Sequence, residues 1–89
     1  LEPLIRESLE MMLRRINQEI ALVEARLQRI ATRLGAKSWR ELDKLFSEKD
    51  IDSPEADMLW PEYLYLKKRL EELVEHKKRV LAMLEGREN

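Results

Sequence analysis

Residues 9–34 read LEMMLRRINQEIALVEARLQRIATRL, and the order of aliphatic side chains in this run decides the fold. Leu9, Leu13, Ile16, Ile20, Val23, Leu27, Ile30 and Leu34 are separated alternately by four and three residues. That alternation is the repeat of a helix that lays one continuous stripe against a partner helix. Leu13, Ile20, Leu27 and Leu34 fill one seam position, and Leu9, Ile16, Val23 and Ile30 fill the other. Pro3 suits a first helical turn, where its missing N–H is no loss, and Gly35 suits the residue just past the end, where left-handed backbone is needed. The pattern predicts a helix over residues 4–34, about 45 Å long at about 1.5 Å per residue.

Downstream, Leu59, Tyr63, Leu66, Leu70, Leu73, Lys77, Val80 and Leu84 repeat the alternation, Val74 and Leu81 widen the stripe, and Gly86 closes it. Between the two stripes, Ser38-Trp39-Arg40-Glu41 fits a capping box, in which Ser38 accepts from the Glu41 amide while Glu41 reaches back to the Ser38 amide. Trp39, Leu42, Leu45 and Phe46 then recur at helical spacing, which predicts a short helix over 39–47, followed by a polar loop from Ser47 to Asp52. Ser53-Pro54-Glu55 is another helix start. Pro61 cannot donate to Asp57 and biases Trp60 away from helical backbone. It predicts a single turn over 54–59, a break near Trp60 and a main helix over 61–85; a kinked helix running on from residue 54 is the alternative. Residues 1–89 therefore read as one all-α domain, an antiparallel, coiled-coil-like helical hairpin. The short helix should cap its closed end on a floor of Leu34, Tyr63 and Leu64.

The chain has 17 Lys+Arg against 18 Asp+Glu, one His and no Cys. This balance argues against a disulfide scaffold, a thiolate zinc site and a generic polyanion binder. No apolar run approaches the ~18–20 residues of a membrane span, so no membrane association and a cytoplasmic location are expected. Charged residues make up 39% of the chain, and Asn and Gln are few, the composition of hyperthermophile proteins; an ordinary charged bundle has it too. A start at Leu1 rather than Met suggests a processed chain or a fragment.

Four surface features bear on function. Arg26, Arg29 and Arg33 share one side of the first helix, with Arg15 further back. Guanidinium groups in such a row suit phosphate or carboxylate, or else form a solvated face that pairs with acids of the linker or of a partner chain. Lys67-Lys68-Arg69 and Lys77-Lys78-Arg79 are interleaved with Glu71, Glu72 and Glu75 at helical spacing, a solvated pattern. Lys77 is the single polar residue in either stripe. A pairing that sets Leu34 near Tyr63 puts Lys77 near Ile20, with Glu19 or Glu24 in reach of an ion pair that fixes the register. Finally, Leu4, Met11, Gln18, Ala25 and Thr32 form an uncharged line at seven-residue spacing on the outward face, bordered by Ser8, Ala21, Leu22 and Gln28. Leu64, Tyr65 and Met83 add apolar surface outside the second stripe. A two-helix hairpin buries one stripe per helix, so the line calls for another helix. A two-fold homodimer would set Met11, Gln18, Leu22 and Ala25 against the same residues of a second chain, making a four-helix bundle.

The run Leu34-Gly35-Ala36-Lys37-Ser38-Trp39-Arg40-Glu41-Leu42, then Pro54-Glu55, then Trp60-Pro61-Glu62-Tyr63-Leu64 before a Glu/Lys/Leu helix, resembles a group of short archaeal helical proteins over residues 30–85. Some of that group are described as antitoxin-like, so the resemblance implies a protein that binds and masks a partner. The size and three-helix order are also similar to those of helical chorismate mutases, which place Arg, Lys and Gln or Glu inside the bundle to hold a dicarboxylate; here both stripes are aliphatic apart from Lys77. His76 has no Ser or Asp beside it and no Gly-rich phosphate loop exists, so no catalytic residue, cofactor or metal is expected and an enzyme is the least favoured reading. The expected function is protein–protein interaction, as an antitoxin-like or adaptor protein. Nucleic-acid binding through Arg15, Arg26, Arg29 and Arg33 is the alternative.

Overall fold

The computed structural model describes residues 2–48 and 53–86, and these form three helices: α1 (Pro3–Arg33), α2 (Trp39–Ser47) and α3 (Pro54–Leu84). α1 and α3 run antiparallel and make a rod of 54 × 20 × 20 Å. The ends of the elements follow from the residues that the sequence supplies. Ser53 Oγ accepts from the Ala56 amide at 3.0 Å and Pro54 takes the first turn of α3. Gly35 and Gly86 adopt φ of 82° and 71°, as residues that stop a helix by turning left-handed do. A Cβ added at Gly35 meets nothing within 4 Å, so only backbone strain opposes it. Gly35→Ala is therefore expected to cost roughly 1 kcal/mol and several degrees of Tm. An unchanged melting temperature in a calorimetric scan would contradict this end to α1.

The break expected near Trp60 is absent, because α3 is one helix from residue 54. Pro61 lies on the exposed face beside an exposed Asp57, so the carbonyl that loses its donor is turned to water. Buried Ala56, Leu59 and Tyr63 hold the opposite face down. Trp60 is fixed between rings, with Phe46 at 4.7 Å edge-on and Tyr63 stacked at 5.7 Å.

The register also differs from the expected one. Glu19 Oε2 accepts from Arg69 at 2.6 Å, Arg33 donates to Glu55 at 2.5 Å, and Arg6 Nη1 donates to the Leu84 carbonyl at 3.3 Å. These contacts set Leu27 level with Tyr63 and Leu13 level with Lys77, one heptad from the pairing expected from the stripes alone. A heptad slip leaves the apolar stripes matched, so flanking charge decides. The expected pairing would have put Arg26 opposite Arg69, and a slip the other way would put Glu19 opposite Glu62. The observed register faces opposite charges at residues 19 and 33.

Burial alternates along the rod. Leu9, Ile16, Val23 and Ile30 are buried together with Leu59, Leu66, Leu73 and Val80. The other seam position is half-exposed at Leu13, Ile20 and Leu70 but closed at Leu27 and Tyr63, which are 0% and 1% exposed. The difference is α2. It lies along one side of the hairpin, level with residues 24–28 of α1 and 60–67 of α3, rather than over the closed end. Of its expected floor, Tyr63 is buried and Leu34 half-buried, while Leu64 stays exposed.

Candidate functional site

α2 is fastened at its start and at its middle by polar groups. At its start Ser38 Oγ accepts from the Glu41 amide at 3.1 Å. Glu41 reaches back, but to the Lys37 amide at 3.0 Å rather than to Ser38. Gln28 of α1 bonds the same turn twice, donating to the Lys37 carbonyl at 3.1 Å and accepting from the Trp39 amide at 3.3 Å. Gln28 thus borders α2 and not the outward line. At its middle Asp43 Oδ1 accepts from the Tyr63 hydroxyl and, at 2.6 Å, from Lys67.

The Asp43–Tyr63–Lys67 cluster is the strongest polar constellation of the described residues. Partial burial pushes the Asp43 carboxyl up, but the hydrogen bonds from Lys67 and Tyr63 and the Lys67 charge together bring it below the ordinary value. Burial, with the hydrogen bond to Asp43 and its charge, pushes the Tyr63 hydroxyl well above its ordinary range, so it stays protonated. A satisfied carboxylate and a phenol held neutral make a fastener, not a general base. A depressed carboxyl contributes stability that is present above its unfolded value, about 3.9, and is lost as pH falls through the folded one. Asp43→Asn is thus expected to cost about 1 kcal/mol at neutral pH, the low end for charged hydrogen bonds because the group is half-exposed. It should also flatten the acid limb of a tryptophan-fluorescence titration. An unaltered acid limb would show that Asp43 does not hold α2.

The residues of the expected surfaces are placed as follows. Met11, Gln18, Leu22 and Ala25 are all exposed on the outer face of α1, Met11 by 51% and Leu22 by 56%. Arg14 and Arg15 flank Met11 and Gln18 around a shallow depression of about 190 Å³. Arg26, Arg29 and Arg33 line a different groove, of about 240 Å³, whose other wall is Leu59 and Glu62 of α3. Arg33 is bound to Glu55, whereas Arg26 and Arg29 have no ion pair among the described residues. Arg15 lies about three turns from Arg26 and belongs to no common patch with it.

Lys77 does not make the expected ion pair. Glu19 is taken by Arg69, and Glu24 lies 3.9 Å from Arg40. With the register one heptad away, Lys77 stands half-buried in the seam and has no carboxylate partner among the described residues. Lys77→Met should leave the hairpin folded or raise its denaturation midpoint, since an apolar side chain suits a seam better than an unpaired ammonium. A lower midpoint would show a contribution of the charge to the fold.

Among the described residues no charged side chain is buried inside the bundle, no group of three or more His, Asp or Glu could hold a metal ion, and no helix is long and apolar enough to cross a membrane. No protein-family model, curated protein or solved structure matches the chain.

Proposed function

We propose that the protein is a protein–protein interaction module, antitoxin-like or adaptor-like, that binds a partner through its helical surfaces and works as a homodimer. The observation that supports this most is the uncovered apolar line on the outer face of α1, carried by a helix of 31 residues that the seam holds rigid. Three or four residues along α1 from Met11, Gln18, Leu22 and Ala25, where helical neighbours meet, stand Arg14, Arg15, Arg26 and Arg29. The acids at that spacing are Glu7 and Glu19, and Glu19 is bound to Arg69. The complementary partner is a segment with an apolar face and acidic flanks.

Leu22→Glu with Ala25→Glu tests the reading. A host protein that the parent captures in fixed proportion should be lost to the double variant, whose circular dichroism should match the parent's because both sites are exposed. Retention of every captured protein by the variant would contradict the assignment. Unpaired Arg26 and Arg29 favour nucleic acid as the second reading. In that case affinity for a labelled duplex would fall steeply with salt and with Arg26→Ala and Arg29→Ala. Glu62 on the facing wall of their groove weighs against it.

A further inference from the structure

Grooves flank the seam on both sides. On the α2 side, beyond Trp39 and Arg40, an open groove of about 700 Å³ runs beside Val74 over half-exposed Ile20 and Leu70, and its charges carry both signs. On the other side the charges form rungs between α1 and α3. Arg33 pairs with Glu55 and Glu19 pairs with Arg69, and each pair lies seven residues along both helices from Arg26 and Glu62. Arg26 and Glu62 thus stand at the middle rung, yet among the described residues they form no ion pair. With Arg29 and Arg33 they wall a groove of about 240 Å³, which buried Ile30 and Leu59 line from below.

We propose that this second groove is a carboxylate site, in which an aspartate or glutamate side chain of a protein partner bridges Arg26 and Arg29 while a neighbouring apolar side chain of the partner covers Leu22. This rests on the partner-binding reading above and names the anchor of that contact. The charge at this level fits one carboxylate. Arg33 is balanced by Glu55, so Arg26 and Arg29 against Glu62 leave a single positive charge, which one carboxylate neutralises. The rungs to either side are already neutral pairs. A phosphodiester backbone, which needs basic residues at successive levels, finds only this one. The position fits a protein. Leu22 and Ala25, exposed on the outer line, stand four residues before Arg26 and Arg29, so a helix seated on that line carries its next side chains over the guanidinium pair. The apolar floor keeps water from one side of an incoming carboxylate, and guanidinium–carboxylate hydrogen bonds strengthen where water is excluded. Arg14 and Arg15 lack such a second wall, since their depression is lined by α1 alone.

The arginine Nε–H signals in heteronuclear NMR read the site directly. A blocked helical peptide with leucine and glutamate one turn apart is expected to shift Arg26 and Arg29 saturably and to leave Arg14 unmoved. The same peptide with glutamine in place of glutamate should shift none of them. Arg26→Gln or Arg29→Gln should weaken binding about tenfold, as loss of a charged hydrogen-bond partner does. Glu62→Gln should tighten it several-fold by removing the carboxylate that competes for Arg26. All three positions are exposed, so circular dichroism of the variants should match the parent's. Equal shifts at Arg14, Arg26 and Arg29, or no saturable shift, would overturn the site, and weaker binding by Glu62→Gln would overturn its geometry. Larger saturable shifts with a single-stranded oligonucleotide than with the peptide would overturn carboxylate as the ligand in favour of phosphate. A host protein lost to Leu22→Glu/Ala25→Glu but kept by Arg26→Gln/Arg29→Gln would overturn the anchor and leave the partner reading standing. Retention by both variants would overturn both.

Discussion

Tyr63→Ala is expected to lower the free energy of unfolding by about 3–5 kcal/mol, as removal of a large buried aromatic does. For 89 residues the whole stability is on the order of 4–13 kcal/mol, so this one change removes a large share of it. Tyr63 is 1% exposed and stands where all three helices meet. Its ring lies 4.9 Å from Phe46 of α2 and 5.7 Å from Trp60 of α3, level with Leu27 of α1, and its hydroxyl holds Asp43. Alanine leaves a cavity under α2, unseats both neighbouring rings and strips Asp43 of a donor. Tyr63→Phe isolates the last part and should cost only about 1 kcal/mol. Urea denaturation of the two variants measures the difference. Equal and small losses would mean that the ring cluster does not hold the closed half together.

Leu42→Ala should cost about 2–5 kcal/mol and should act on α2 first. Leu42 is the one fully buried side chain of α2, at 0% exposure. A nine-residue helix is too short to persist without tertiary contacts, since isolated helices need roughly 12–15 residues to be even marginal in water. The hairpin is expected to outlast it, because the Leu9–Val80 half of the seam does not touch α2. Hydrogen exchange should show residues 39–47 losing protection while residues 9–30 keep most of theirs. Uniform loss along the chain would show that the hairpin depends on α2 for its own stability.

The two long helices, their antiparallel order and the stops at Gly35 and Gly86 were legible from the stripes and caps, because a repeat of about 3.5 residues and a left-handed terminal glycine each have one structural meaning. The register was not, for the same reason. A heptad pattern matches itself after a slip of one heptad, and only the flanking charges at residues 19, 26, 33, 55, 62 and 69 break the tie. Pro61 misled because local propensity carries no information about which face of the helix the ring will occupy. Once it faces water, burial of Ala56, Leu59 and Tyr63 outweighs the lost hydrogen bond. Gln28 and Asp43 were invisible as fasteners, being single polar residues outside any motif. One signal was present: Asp43 is three residues before Phe46 and so shares the face of α2 that packs inward. The outer line of α1 was legible as unpartnered surface, and the half-open groove was not, since it follows from where α2 begins along the hairpin.

These features describe a rod with uncovered apolar surface on two sides, the outer line of α1 and the groove beside Val74. Sedimentation equilibrium of the 10.7 kDa chain across the micromolar range tests that description most directly. The proposed homodimer should return twice the chain mass for the parent. A parent that holds the mass of one chain throughout that range would contradict it.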